Sequence, residues 1–175
     1  MGKIYKASPV KLFLSLFSQQ TKIFPLIEKS LSNKFGPIDF SSDIFDFIHT
    51  DYYEKEFGSN LKRKFISFKK LFTPDILWQA KLFTNKLEER FTKDSKRQIN
   101  LDPGYMTQAS LVLASTKNFS HRIYVNKGIY EEITLLYQNK SFKSLPWTYP
   151  DYQSPEYLDI FVRIRDTFSA QLKDR

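Results

Sequence analysis

Asp102-Pro103-Gly104-Tyr105 places a carboxylate, a fixed φ, a residue without a side chain and a phenol in four consecutive positions. Pro pre-sets φ and Gly tolerates a positive φ, so the tetrapeptide reads as a turn closing a short strand. Such a turn can aim backbone N–H groups at an anion. Lys117, His121, Arg122 and Tyr124 follow it: two fixed cations, an imidazole that titrates near neutrality and a second phenol. In an enzyme reading, Asp102 and His121 are the acid–base pair. In a binding reading, Lys117 and Arg122 contact phosphate, Tyr105 and Tyr124 form a wall, and the turn through Gly104 supplies backbone N–H groups. Both readings stand beside a structural one, since a hairpin edge with alternating polar positions contains the same residues.

Two further segments carry candidate contacts. In "TDYYEKEFG", residues 50–58, two adjacent Tyr cannot face the same way on a strand. One phenol, Tyr53, is thus a candidate for a ligand, unless the segment is a helix or turn packed on the core. In "LPWTYPDY", residues 145–152, two Pro stiffen the chain, and Trp147 either covers a pocket or plugs the core edge. Asp46, His49, Asp51 and Glu56 are oxygen-rich enough for a hard cation, but acids flanking a turn explain them equally, and no metal site is assigned.

Several chemistries are excluded. The chain has no Cys, so thiol catalysis, Cys-based zinc sites and disulfides are out. It has no P-loop and no G-x-G-x-x-G, and its two His belong to no H-E-x-x-H. Nothing specifies a cofactor or an oligomeric state. Residues 12–17, with Ser15 inside, form the longest apolar run, too short to span a bilayer. Lys11 interrupts any signal-like N-terminus, so the expected location is cytoplasmic. The net charge of +8 is unevenly spread. Residues 39–56 hold six acids and one Lys, whereas residues 61–97 hold eleven Lys or Arg against four acids. This segment either presents a basic face to an anionic partner, nucleotide or RNA, or is a solvated lysine-rich surface.

These residues need a scaffold, and the 175 residues suit one domain over 1–175. "VKLFLSLF", residues 10–17, reads as a buried strand, and residues 21–35 read as a helix stopped by Gly36-Pro37. Residues 43–49 and 62–72 read as the next two strands. Thr73-Pro74-Asp75 reads as a helix start with a Thr cap, followed by an apolar stripe of Ile76, Ala80, Phe83, Leu87 and Phe91. "RQINLD" reads as a fourth strand, and residues 107–116 fit either a short helix or a strand. A hairpin turns at Asn126-Lys127-Gly128, and Ser154-Pro155-Glu156 opens a last helix. The expected fold is α+β: a ferredoxin-like β-α-β-β-α-β core with an added β-hairpin and a C-terminal helix, on a mainly antiparallel sheet. The RNA-recognition fold shares that order, but Lys64 stands before Phe65 where its signature needs Gly.

Taken in order, "FGPIDF", "TDYYEKEFG", "LKRKFISF", "TNKLE", "INLDPGYM", "LVLASTK", "SHRIYVNKGIYEEITLLY" and "LPWTYPDY" cover nearly the whole chain. This series resembles an uncharacterised bacterial family catalogued as domain of unknown function 4416. The resemblance implies no activity. It marks Asp51, Tyr52, Tyr53, Asp102, Gly104, Tyr105, His121, Arg122, Tyr124 and Trp147 as signature positions. Members sometimes carry a GTP-binding label, to which the absence of P-loop elements lends no support. The leading expectation is a protein that binds a phosphate-bearing ligand, nucleotide or RNA, through its basic face. A small enzyme using Asp102 and His121, with or without a metal, is the alternative, and a non-catalytic interaction domain is the third.

Overall fold

The computed structural model describes residues 2–48 and 54–174. Tyr53, with His49, Asp51 and Tyr52, lies outside the described residues. Strand β1, Val10–Ser18, is buried at every position and lies in the interior of the sheet, between two neighbours. A short 3-10 turn leads into α1, Phe24–Phe35, with Pro25 tolerated in the first turn and Phe24, Ile27, Leu31 and Phe35 along its buried stripe. Gly36, at φ 95°, ends the helix and reverses the chain at once. Strand β2, Ile38–Ser41, therefore starts immediately after it.

This corrects the expected second strand at residues 43–49, where, among the described residues, only β3, Phe45–Asp46, is a strand. The cause is Ser42. Its N–H donates to Phe65 O at 2.9 Å, and its Oγ accepts the Phe65 N–H at 2.9 Å, so one residue occupies both backbone groups of its neighbour. The chain leaves the ladder there and rejoins it at Phe45. After α2, Glu54–Phe57, strand β4 spans Lys62–Phe72, the range expected, and pairs antiparallel with β1.

Helix α3, Ile76–Arg90, begins at an Asp75 N-cap rather than at Thr73, and no side chain caps it. Backbone carbonyls of Thr73 and Pro74 accept the N–H groups of Ile76 and Leu77 instead, in a tightened first turn. Its buried face is Leu77, Ala80, Lys81, Thr84, Leu87 and Glu88, rotated from the expected stripe. That rotation brings a Lys and a Glu inside. A small hairpin, β5 (Thr92–Lys93) and β6 (Lys96–Arg97), precedes β7, Asn100–Met106. Then come β8 (Ser110–Ser115), β9 (Ile123–Asn126), β10 (Ile129–Gln138) and β11 (Ser141–Ser144). The β9–β10 turn uses Lys127 and Gly128 at φ 47° and 79°, the positive values that a two-residue hairpin loop requires. Helix α4, Pro155–Lys173, starts under a Ser154 cap whose hydroxyl accepts the Tyr157 N–H.

The main sheet runs β11-β10-β8-β7-β1-β4-β2, with β3 added on β4 and β9 on β10, and every pairing is antiparallel. The class is α+β. Leu12, Leu14 and Leu16 of β1 face α1 and α3, while Phe13 faces α4, as strand alternation demands. The sheet is thus covered on both faces. Phe65 lies under Tyr157 and Phe161 of α4, with ring centroids 4.9 and 5.2 Å away, so the aromatic sheet face that RNA-recognition domains leave open is closed here. Among the described residues no helix is long and apolar enough to cross a membrane.

The Asp102-Pro103-Gly104-Tyr105 turn is not a turn. All four residues lie within β7, paired with β1 from Lys11↔Met106 to Phe17↔Asn100. Gly104 is needed for close approach rather than for φ. A Cβ there would sit 2.5 Å from Phe13 Cζ and 2.7 Å from Val112 O.

Candidate functional site

Pro103 has no N–H to give a ladder, and a proline inside a strand needs one side unpaired. The β7–β8 pairing accordingly begins one residue later, at Gly104↔Leu113, and runs only to Met106↔Leu111. Strand β8 continues past Leu113 to Ser115 alongside β10, while β7 runs on to Asn100 alongside β1. The two neighbours part, and a cavity of about 670 Å³ opens between them.

The parting exposes the edge of β7, and α3 closes it. Leu101 N–H donates to Glu88 Oε1 at 2.6 Å, and Leu101 O accepts from Lys81 Nζ at 3.2 Å. Two helix side chains thereby take the places of the missing strand, which is why the buried face of α3 carries charges. Lys81 Nζ also reaches Asp102 Oδ1 at 3.1 Å. Asn100 Nδ2 donates to Asp102 Oδ2 at 2.5 Å. Burial would push the Asp102 carboxyl up, but Lys81, helped by Arg63 and Asn100, holds it below its ordinary value, so it is a carboxylate.

Alternation along the strands sets the rest of the cavity floor. Arg63 and Asn100 flank Phe17 on the side of the sheet that Asp102 also faces. Arg63 is 3% exposed; its Nη1 donates to Asp151 Oδ2 at 2.5 Å, and its guanidinium lies 3.9 Å from the Phe47 ring centre. Arg97 grips Glu56 with two hydrogen bonds, at 2.6 and 2.8 Å, and donates to Glu88 Oε2 and Asn100 Oδ1. Those contacts hold the Glu56 carboxyl below its ordinary value.

The far wall is Glu132 of β10, with Ser115, Thr116 and Lys117. Glu132 Oε2 accepts from Arg122 Nε at 2.6 Å and meets His121 Nε2 at 3.0 Å. Tyr149, Pro150, Asp151 and Tyr152 form the roof. Their segment is tied down by Thr148 Oγ1 donating to Thr134 O, by Trp147 Nε1 donating to Ile133 O, and by Arg122 Nη2 donating to the Tyr149 hydroxyl.

Of the residues expected from the sequence, Asp102 and Lys117 line the cavity. Arg122 and His121 stand behind its wall and brace Glu132, and Trp147 stacks on His121 with rings 5.1 Å apart and 10° from parallel. No hydrogen bond joins Asp102 to His121 among the described residues; each has other partners. Gly104 is packed under Phe13, and Tyr124 is exposed on β9 against Tyr130. Arg63, Lys81, Asn100, Glu132 and Asp151 were missed. For Arg63 a signal existed: it precedes Phe65 and Ser67 at the inward positions of β4, so alternation alone buries it. Lys81 and Glu88 are seven apart on one helix face and carried the same kind of signal. The acids suggested for a hard cation are engaged elsewhere where they are described: Asp46 pairs with Lys62, and Glu56 with Arg97.

Tyr105 lies on the opposite face of the sheet, packed toward Leu77 and Val112 of the α3 side, and burial together with Glu131 pushes its phenol up to about 12. Burial pushes the Glu131 carboxyl up to about 7 from its ordinary 4.5. The native state then holds this proton longer than the unfolded chain, so stability falls as pH rises from about 4.5 to about 7 and loses nothing more above. Glu131→Gln is expected to remove that slope and to raise the urea midpoint at pH 8 but not at pH 4. An unchanged pH profile in the variant would contradict the assignment.

No curated protein and no solved structure matches the chain. The family described as Domain of unknown function (DUF4416) matches residues 8–168, and the chain belongs to that family.

Proposed function

We propose that the protein binds a small anionic ligand, carrying phosphate or carboxylate oxygens, in the cavity between β7 and β8. The observation that supports this is a surplus of N–H donors at the floor. Among the described residues, Arg63 gives N–H groups to Asp151 and Tyr157 out of its five, Lys81 spends two of its three, and Asn100 one of its two. A ligand oxygen completes those donors. The volume falls within the range of small-molecule sites and is too confined for a nucleic-acid strand.

The lining holds Arg63, Lys81, Arg97 and Lys117 against Glu56, Asp102, Glu132 and Asp151, four cations and four acids. Affinity then comes from directed hydrogen bonds, not from excess charge, and depends weakly on salt. Five of the eleven cations in the basic stretch at residues 61–97 have acidic partners: Lys62, Arg63, Lys64, Lys81 and Arg97. Thermal unfolding with inorganic phosphate, mononucleotides and single-stranded RNA tests the reading. A small anion at a hundred times its Kd adds about 2.7 kcal/mol, which raises Tm by about 5–10 °C for a chain of this size. Binding of RNA alone, with the steep salt dependence of phosphate contacts, would overturn the cavity as the site.

A further inference from the structure

Resting on that reading, we infer that the ligand is an elongated phosphate ester of nucleoside monophosphate layout, held by its phosphate at the Arg63–Lys81 end and by a hydrogen-bond donor at the Glu132 end. The two ends of the cavity differ in chemistry. At the β4–β7 end the groups with capacity left are donors, on Arg63, Lys81 and Asn100. At the β10 end a carboxylate acceptor keeps capacity, with a hydroxyl beside it. Glu132 Oε2 is taken by Arg122 and His121, but its Oε1 meets only Thr134 Oγ1, at 3.4 Å, among the described residues. Ser115 lines the same wall, and its Oγ already accepts the Lys117 N–H, leaving its proton to donate.

The separation fixes the length. Strands β4 and β10 are four places apart in the sheet, so their axes are about 19 Å apart at ordinary strand spacing. Arg63 and Glu132 reach inward from those strands, and a phosphate alone cannot meet both. Between the ends the cavity is bordered by Tyr149, which is within electrostatic reach of both Asp102 and Glu132 and is 41% exposed, a flat surface suited to a ring. A terminal phosphate, a ring in the middle and an amine or hydroxyl at the far end satisfy all three zones.

Calorimetric titration with adenosine 5′-monophosphate, ribose 5-phosphate and adenosine separates the parts. The long ester is expected to bind at least tenfold more tightly than either fragment. Glu132→Gln replaces half of the carboxylate acceptor with a donor; it is expected to weaken the long ester about tenfold or more and to leave ribose 5-phosphate unchanged. Because Glu132→Gln also disturbs Arg122 and His121, Ser115→Ala serves as a second variant, expected to weaken only the long ester, by a few fold. Equal binding of the long ester and ribose 5-phosphate, or equal loss of both in either variant, would overturn the two-ended mode while leaving an anion site in place. No binding of any phosphate ester, of inorganic phosphate or of a dicarboxylate such as succinate would overturn the underlying reading as well.

Discussion

Replacing Arg63 with Met is expected to cost about 3–5 kcal/mol of folding stability, although Met fills much of the same space. The guanidinium is buried, bonded to Asp151 at 2.5 Å, and lies against the rings of Phe47, Phe17 and Tyr157 at 3.9, 5.2 and 5.4 Å. Its removal leaves the Asp151 carboxylate, itself 8% exposed, with only the Tyr152 N–H at 3.0 Å among the described residues. The penalty is that of a buried charge without a counter-ion and not that of a lost contact. The double variant Arg63→Met/Asp151→Asn should therefore recover a large part of the loss. Urea unfolding of the two single variants and the double one measures the coupling directly. Strict additivity would show that the two side chains do not act as a pair. Arg63→Met should also abolish the Tm rise produced by a phosphate ester, which a purely structural role would not require.

Gly104→Ala is expected to cost about 3 kcal/mol, at the upper end of overpacking losses, for the addition of one methyl group. The new Cβ would lie 2.5 Å from Phe13 Cζ and 2.7 Å from Val112 O. The carbonyl is backbone of the adjacent strand and cannot swing away. The ring of Phe13 is held against Phe161, 5.8 Å between centroids. Gly128→Ala is the fitting control, since nothing lies within 4 Å of a Cβ there and its cost is the strain of φ 79°, about 1–2 kcal/mol. If the two variants unfold at the same urea concentration, close packing at Gly104 is not what its position demands.

What the sequence showed and what it hid divide along physical lines. Strand β4 was legible to the residue, because eleven residues without Pro or Gly ended at a helix start. The α4 helix was legible from its Ser-Pro-Glu opening and the spacing of Tyr157, Phe161, Ile164 and Phe168. The tetrapeptide at Asp102 misled because the two residues that favour turns also serve inside strands. Pro103 stands where a ladder has stopped, and Gly104 where a neighbouring ring and carbonyl come too close for a side chain. The second strand was misplaced because Ser42 substitutes a hydroxyl for a backbone group, an exchange that alternation cannot register. Lys81 and Glu88 were passed over for the same kind of reason: helix patterning counts apolar residues, whereas these two are buried to satisfy an abandoned strand edge. Asp102, Lys117, His121, Arg122 and Trp147 were singled out without Glu132, the acid that binds both His121 and Arg122.

An unbroken sheet insulates the molecules on its two faces from each other, since each ladder is sealed by its own hydrogen bonds. The parting of β7 from β8 removes that insulation at one place. Lys81 is rooted in the helix behind the sheet and ends at a carboxylate in front of it, and Glu88 of the same helix holds both the backbone of β7 and Arg97. The front of the sheet at this point is thus anchored in the helix behind it, through Lys81 and Glu88.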